Sequence, residues 1–350
     1  MERRTRRPRI ADVAREAGVS KTAVSFAFNS PERLAAGTAT RIREVAESLG
    51  YRPNPVARLL TQPRTLTIGI LTPQALAVTF SNPFFAEFSE GVAQTAERLG
   101  YALHFISPLH GSLALAVGRA TVDGVVAIGL SSGHPELGQI QTAGLPMVLV
   151  DTDDLPGHSS VVVDDEGGAR AAAEHLLGLG HRDVVVLAIE GPEGSADPGM
   201  ADESGVTARR LRGYRAAFDA ASVPLPATRI VAGHATIEGG VEAFRLAWAA
   251  GHRPTALLAM SDAMAIGAMS AARDLGVLVP RDLSIVGFDD VDVAAHVEPP
   301  LTTVHQPIRE KGAEAARLLL ADIERRDPPT ERRRLPTRLV VRGSTGPPPT

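Results

Sequence analysis

From Leu66 onward one pattern constrains the fold more than anything else in the chain: short runs of Val, Ile and Leu alternate with alanine-rich stretches of helical period. The runs read TLTIGIL, ALHFIS, GVVAIG, PMVLVD, SVVVD, DVVVLA, TALLAM and SIVGF. Strands that are apolar at successive positions are buried on both faces, and strands separated by helices return by crossovers. The pattern therefore predicts parallel sheets with helices on both faces. No apolar run approaches the roughly eighteen residues that a membrane helix requires.

The first sixty residues follow a different rule. They hold twelve Lys and Arg against six Asp and Glu, a balance of +6, while the remaining 290 hold twenty-four against thirty-four, a balance of −10. Such asymmetry points to a polyanionic partner for the amino-terminal piece, or to a solvated basic tail, because Arg3, Arg4, Arg6, Arg7 and Arg9 supply much of the excess. The stretch IADVAREAGVSK is broken by charges and lacks the apolar core of a signal peptide, so a cytoplasmic, nucleoid-associated protein is expected. The absence of cysteine excludes disulfides, thiol catalysis and cysteine-ligated metal sites.

Three helices are predicted in the amino-terminal piece. Residues 10–17 carry Ile10, Val13, Ala14 and Ala17 at helical spacing before Gly18. Ser20 is placed to cap a second helix whose Ala23, Val24, Ala27 and Phe28 face one way, while Lys21, Thr22, Ser25 and Phe26 face outward or sideways. A third helix is expected over 38–49, with Ile42, Val45, Ala46 and Leu49 on one stripe and Gly50 after it. Two helices joined by a tight glycine turn and backed by a third form a helix-turn-helix.

DVAREAGVSKTAVSFAFN followed by TRIREVAESLGYRPNPVARLL closely resembles the head of the lactose/purine-repressor (LacI) family of bacterial regulators. The resemblance runs on in order through NPFFAE, DGVVAIG, HLLGLGHR, RRLRGYRAAF, SDAMAIGAM, VPRDLSIVGFDD, PPLTTVHQP and LVVRGST. It implies a small all-α helix-turn-helix head plus an α/β two-lobed, periplasmic-binding-protein-like sensor made of two Rossmann-like parallel-sheet lobes. The expected division is a head over 1–53, a hinge helix and linker over 54–65, and an effector-binding domain over 66–343. Lobe 1 is assigned 66–162 and 291–327, lobe 2 is assigned 163–290 and 328–343, and the crossovers fall near Val163, Asp290 and Pro328. The proline-rich 344–350 is expected to be a disordered tail.

By the same resemblance Lys21, Thr22 and Phe26 reach base edges in the major groove, while Ser20 and Ser25 touch phosphates. Asn29, Arg9 and Arg58 join the DNA-binding set. Phe26 stands where the family more often has a polar side chain. It can offer only apolar contact, for instance to a thymine methyl, or fold back onto the helix pack. Arg9 replaces a capping threonine, which weakens that cap and adds a phosphate contact. A hinge helix over 55–60 is too short to hold alone; it would order against its twin over the minor groove, with Leu60 wedged between the central base pairs, or serve as plain linker with Leu60 packed on the body.

In open α/β sheets ligands sit at the carboxyl ends of strands. Asp151 follows PMVLV, Ser261 and Asp262 follow ALLAM and Asp289 follows SIVGF, while Phe84 and Phe85 lie in the loop and helix start after the first strand. Arg210 matches the family arginine that grips effector. Arginine with aspartates suits the hydroxyls of a sugar or nucleoside, although a strand-end aspartate also caps helices and an arginine also pairs at surfaces. Ala235 and Ser261 replace the family's aromatic and asparagine, so the effector's identity does not transfer. The stretch GPEGSADPGMADESG reads as a loop at the cleft mouth. His175 and His181 lack a third ligand at metal spacing and read as structural.

No cofactor and no metal are expected. The partners are palindromic double-stranded operator DNA, a small-molecule effector and a second copy of the chain, with dimer contacts from the first lobe and the helix over 308–325. The enzyme alternative lacks a G-x-G-x-x-G or G-x-x-x-x-G-K-[ST] loop. A sugar-binding transport protein, the other alternative, has no use for residues 1–60.

Overall fold

The computed structural model describes residues 8–52, 64–130, 132–152, 155–190, 205–324 and 329–349. The expected hinge helix, with Arg58 and Leu60, and nearly all of the expected cleft-mouth loop lie outside the described residues. The chain divides into two compact units, 1–65 and 66–350.

In the first unit α1 (Ile10–Glu16), α2 (Lys21–Asn29) and α3 (Ala36–Ser48) close on one small core. Val13, Ala14 and Ala17, Val24 and Ala27, and Ile42 and Ala46 are its buried members, so each helix contributes one apolar stripe. Phe28 and Tyr51 close one side with ring centroids 6.0 Å apart. Gly18 takes φ +64 between α1 and α2, a conformation that costs any residue with a Cβ, and it sets the tight turn. The third helix starts two residues before the expected position, at Ala36, where Ala35 offers no side-chain cap.

In the second unit the elements run β1 (Thr67–Leu71), α4 (Leu76–Ser81), α5 (Pro83–Arg98), β2 (Ala102–Ile106), α6 (Leu113–Arg119), β3 (Gly124–Ile128), α7 (Leu137–Thr142), β4 (Met147–Val150), β5 (Ser159–Val163), α8 (Asp165–Gly178) and β6 (Val184–Ile189). They continue with α9 (Gly205–Ala220), β7 (Ile230–Gly233), α10 (Ile237–Ala249), β8 (Ala256–Ala259), α11 (Asp262–Asp274), β9 (Ser284–Asp289), β10 (Thr302–His305), α12 (Ile308–Glu324), β11 (Arg332–Leu335) and β12 (Arg338–Val340). The strands form two sheets, ordered β11-β5-β4-β3-β1-β2 and β12-β10-β9-β8-β6-β7. All pairings among the described strands are parallel except β10 with β12. Central strands β3, β4, β8 and β9 are buried at every position, as unbroken apolar runs demand.

Helices that cross closely do so through glycine. A Cβ on Gly91 of α5 would strike the backbone of Arg309, and one on Gly312 of α12 would strike the backbone of Phe88, so these two helices pack backbone to backbone. α8 and α9 do the same at Gly213. Close approach leaves little slack for repacking, which holds the ends of these helices rigidly beside the strand ends.

The crossings between lobes differ from the expected ones. The first follows β5, which ends at Val163; the return follows β10 after His305 rather than falling near Asp290, and the last lies between β11 and β12 rather than near Pro328. Two strands disguised these positions. β10 has four residues between proline-bearing segments, and β11 is an edge strand whose Arg332, Arg333 and Arg334 are exposed, so neither shows an apolar run.

The tail expected to be disordered is docked on the second lobe. Ser344 is fully buried; its hydroxyl donates to the Ile285 carbonyl at 2.6 Å and accepts from Thr302 N–H at 2.8 Å. His181 Nε2 meets the Gly346 carbonyl at 2.9 Å and His175 Nε2 meets Thr345 Oγ1 at 3.0 Å, so both histidines hold the tail. Backbone pairing satisfied by distant side chains gives no compositional signal, and composition alone therefore misread this segment.

Candidate DNA-reading face and effector cleft

The face of α2 opposite its buried Val24 and Ala27 carries Thr22, Ser25, Phe26 and Asn29, with Lys21 at its edge. Ser20 Oγ accepts from Ala23 N–H at 3.1 Å, and this cap leaves the hydroxyl proton available to an anion. Lys21 and Thr22 are exposed and make no ion pair or hydrogen bond from their side chains among the described residues. Asn29 Nδ2 donates to Ser25 Oγ at 3.3 Å, so these two are held as a pair. Phe26 lies half-buried outside the head's core, with the Arg33 guanidinium 5.3 Å from its ring centroid. At the start of α1 the backbone N–H of exposed Arg9 donates to the Asp12 carboxylate at 2.8 Å; an acid one turn in serves the terminus that the missing threonine would have served.

In the body the expected ligand residues are drawn together by residues that sequence reasoning missed. Arg210 on α9 is 3% exposed; its Nε donates to Asp165 at 2.9 Å, its Nη1 donates to the Met260 carbonyl, and its guanidinium lies 3.5 Å over the Phe288 ring. Its Nη2 is 3.8 Å from Asp289, whose carboxylate accepts from Gln306 at 2.6 Å. Gln306 in turn accepts from Lys311 Nζ at 2.5 Å, and the same ammonium donates to both Asp151 oxygens at 2.8 Å. That ammonium also stands 5.2 Å from the Phe84 ring centroid. One chain of ion pairs and hydrogen bonds thus runs from lobe 2 through Arg210, Asp289 and Gln306 to Lys311 and Asp151 of lobe 1.

Asp165 takes Arg209 at 3.0 Å as well as Arg210, and Arg209 reaches the Asp151 carbonyl at 3.2 Å. Burial pushes the Asp165 carboxyl up, but the two guanidiniums outweigh it and hold it below the usual carboxylate range. Asp289 has less cationic support, and burial raises it to about 6 against the pull of Arg210. Asp262, the first residue of α11, is pushed up to about 8 by burial and by nearby Asp289, although Thr303 Oγ1 and Val291 N–H donate to it at 2.5 and 2.9 Å. Asp151 and Asp289 sit at strand ends with φ +58 and +127, the second strained for any residue with a Cβ.

The remaining expectations divide. Ser261 is buried as the N-cap of α11, accepting from Met264 N–H at 3.2 Å, and Phe84 belongs to the core, stacked on Phe88 at 6.2 Å. Lys311 was legible: Ile308, Lys311, Gly312, Ala315 and Leu319 mark the buried stripe of α12, and a lysine inside an apolar stripe is an anomaly worth reading. Asp165, Arg209 and Gln306 carried no such sign. A cavity of about 260 Å³ flanks the cluster, walled by Asp164, Asp165, Arg170, Arg209, Arg212 and Arg334. Among the described residues no group of His, Cys, Asp and Glu is arranged to hold a metal, and no helix is long and apolar enough to cross a membrane.

Comparison with known proteins bears on both units. Residues 9–54 match the family model of bacterial regulatory proteins, lacI family, and residues 173–345 match a periplasmic binding protein-like domain. The HTH-type transcriptional regulator DegA of Bacillus subtilis is 34% identical over 348 residues, covering 97% of this chain and 98% of its own. The lac repressor dimer bound to operator and an anti-inducer is 27% identical with TM-score 0.78, over 97% of this chain and 100% of that one. The transcriptional regulator CelR–cellobiose complex is 31% identical with TM-score 0.69, over the same shares.

Proposed function

Since the chain belongs to the lacI family of bacterial regulatory proteins, we propose that it acts in the bacterial cytoplasm as a homodimeric repressor of palindromic operators, released or engaged by a small sugar or nucleoside bound between its lobes. The observation that carries the effector half of this reading is the internal chain of charges from Arg210 to Asp151. It joins both lobes at the carboxyl ends of their strands, where ligands of such sheets bind. Carboxylates, a guanidinium, an amide and an ammonium are the groups that pair with sugar hydroxyls, and cellobiose in the CelR complex is chemistry of that kind. A ligand whose hydroxyls replace the Asp289–Gln306 and Lys311–Asp151 contacts would shift the lobes between two packings, and only its difference in affinity for the two would move operator binding.

The DNA half rests on α2, whose exposed face offers Lys21 and Thr22 to base edges and Ser20 to a phosphate. The protein works by binding and carries out no covalent step. Two measurements test the reading. Full-length chain and a chain beginning at Leu66 are titrated against duplexes selected from a randomised library at several salt concentrations; the full chain binds with a steep salt dependence and the shorter one not at all. A thermal-shift screen of sugars and nucleosides then finds the effector, because a ligand at 100 times its Kd adds about 2.7 kcal/mol to stability. Specific duplex binding by the chain that lacks 1–65, or the lack of any stabilising sugar or nucleoside, would each remove one half of the proposal.

A further inference from the structure

We infer that Phe26 and Arg33 form one composite base reader, in which the phenyl ring on the recognition helix holds the Arg33 guanidinium at the DNA-facing side and Arg33, not Phe26, contacts a guanine edge. The inference rests on the DNA-reading role of α2 and goes beyond it by assigning the residue that reads.

Phe26 follows Thr22 by four residues and so lies one turn further along the same exposed face, away from buried Val24 and Ala27. It is neither in the head's core nor freely exposed: it is half-buried, and the Arg33 guanidinium stands 5.3 Å from its ring centroid. Arg33 is exposed, and this ring is its sole side-chain partner among the described residues; no carboxylate takes its guanidinium there, and its side chain makes no hydrogen bond among them. The backbone of Arg33 is held close by. It ends a 3-10 turn, Pro31–Arg33, between α2 and α3, and the following Leu34 packs on the head's core.

A guanidinium resting on an aromatic ring is held through the ring's electron-rich face and keeps N–H groups free at its edges. That arrangement suits a base more than a phosphate. A phosphate accepts a loosely placed cation, whereas guanine O6 and N7 require a planar fork in a fixed position. The ring supplies the fixation and the turn supplies the cation. Phe26 is then a positioning residue, and the apolar side chain on the reading face has a role that contact with a thymine methyl does not require.

The test uses full-length wild type and variants to select from a randomised duplex library, with circular dichroism to verify that each head is folded. Wild type should enrich a palindrome with a guanine in each half-site. That preference should vanish in Arg33→Ala and Arg33→Lys, weaken in Phe26→Leu, and return in Phe26→Tyr, which restores an aromatic face. On the wild-type sequence Arg33→Ala should bind about five- to hundredfold more weakly, and adding Phe26→Leu should cost little more because the pair acts as one. An unchanged guanine preference in Arg33→Ala, or a uniform loss on every duplex with a shallower salt dependence, overturns the inference while leaving the DNA-reading role in place. A thymine preference lost in Phe26→Ala and untouched in Arg33→Ala overturns it in favour of direct methyl contact. If wild type enriches no sequence, the DNA-reading role itself falls.

Discussion

The head and the body treat charge in opposite ways. On α2 and the turn after it, Lys21 and Arg33 stand exposed, one with no partner and the other with only a ring among the described residues. In the body, Arg209, Arg210, Asp165, Asp289 and Lys311 are all buried and spend their charge on one another or on nearby polar groups. A polyanion needs cations that are already free, because pairing them internally would have to be undone at every encounter. A sugar or nucleoside of the proposed kind would offer no such field, so groups that meet it would have to be held by internal partners that it replaces one for one. The head is therefore built for attraction at a distance and the body for exchange at contact.

Lys311 is the largest test of that contrast. Its ammonium is fully buried, with Asp151 and Gln306 as partners, so Lys311→Met leaves the Asp151 carboxylate without its cation. Urea unfolding of the body should register a loss of about 3 to 5 kcal/mol, much of it recovered when Asp151→Leu is added. A loss no larger than that of a surface ion pair would erase the distinction drawn between the two units. Asp289→Asn comes next. It keeps the shape of the side chain and removes the charge that an effector's hydroxyls would meet, and calorimetry should give a ten- to hundredfold weaker ligand, about 1.5 to 3 kcal/mol, with DNA affinity in the absence of ligand unchanged. Equal ligand affinity in both proteins would move the effector site away from this cluster.

Asp262 sharpens the comparison through pH. Its carboxyl is raised to about 8 in the folded protein from an unfolded value of 3.8, so between those values the folded chain keeps a proton that the unfolded chain has released. Stability contributed by this group therefore falls as pH rises from about 4 to 8 and levels off above. Relative to Asp262→Asn, which cannot titrate, wild type should lose up to about 1.4 kcal/mol per pH unit across that window in thermal melts. A constant difference between the two would mean that Asp262 is ionised throughout. The smallest effect belongs to the head: Lys21→Ala should leave stability within about 0.5 kcal/mol while weakening duplex binding, the reverse of Lys311→Met. A marked loss of stability there would show that this cation, too, is spent internally.

What was legible in the sequence follows the same physics. Period and punctuation are local, and they located α1, α2 and the strands with unbroken apolar runs, because one residue's burial is announced by its neighbours three, four or two positions away. Strands without such runs, β7, β10, β11 and β12, escaped, and with β10 and β11 the positions of two crossings between lobes. The tail escaped because its partners, His175, His181, Ile285 and Thr302, are remote in sequence and leave no periodic trace. In the site, strand ends pointed to Asp151 and Asp289, whereas the residues that join them came from elsewhere in the chain.

The sequence by itself determined the class of structure and the chemistry available: a basic three-helix head, a pair of crossover-connected parallel sheets, and polar side chains at strand ends. Tertiary structure decided how those groups are used. Whether an aspartate caps, pairs or keeps its proton depends on which charges come within a few ångströms, and that distance is set by packing between elements a hundred or more residues apart, as between Asp151 and Lys311. Asp165, Asp289 and Asp262 are the same residue type in the same body. Burial pushes all three up; two paired guanidiniums overcome it at Asp165, the pull of Arg210 only partly offsets it at Asp289, and the neighbouring Asp289 adds to it at Asp262, an ordering that no local pattern contains.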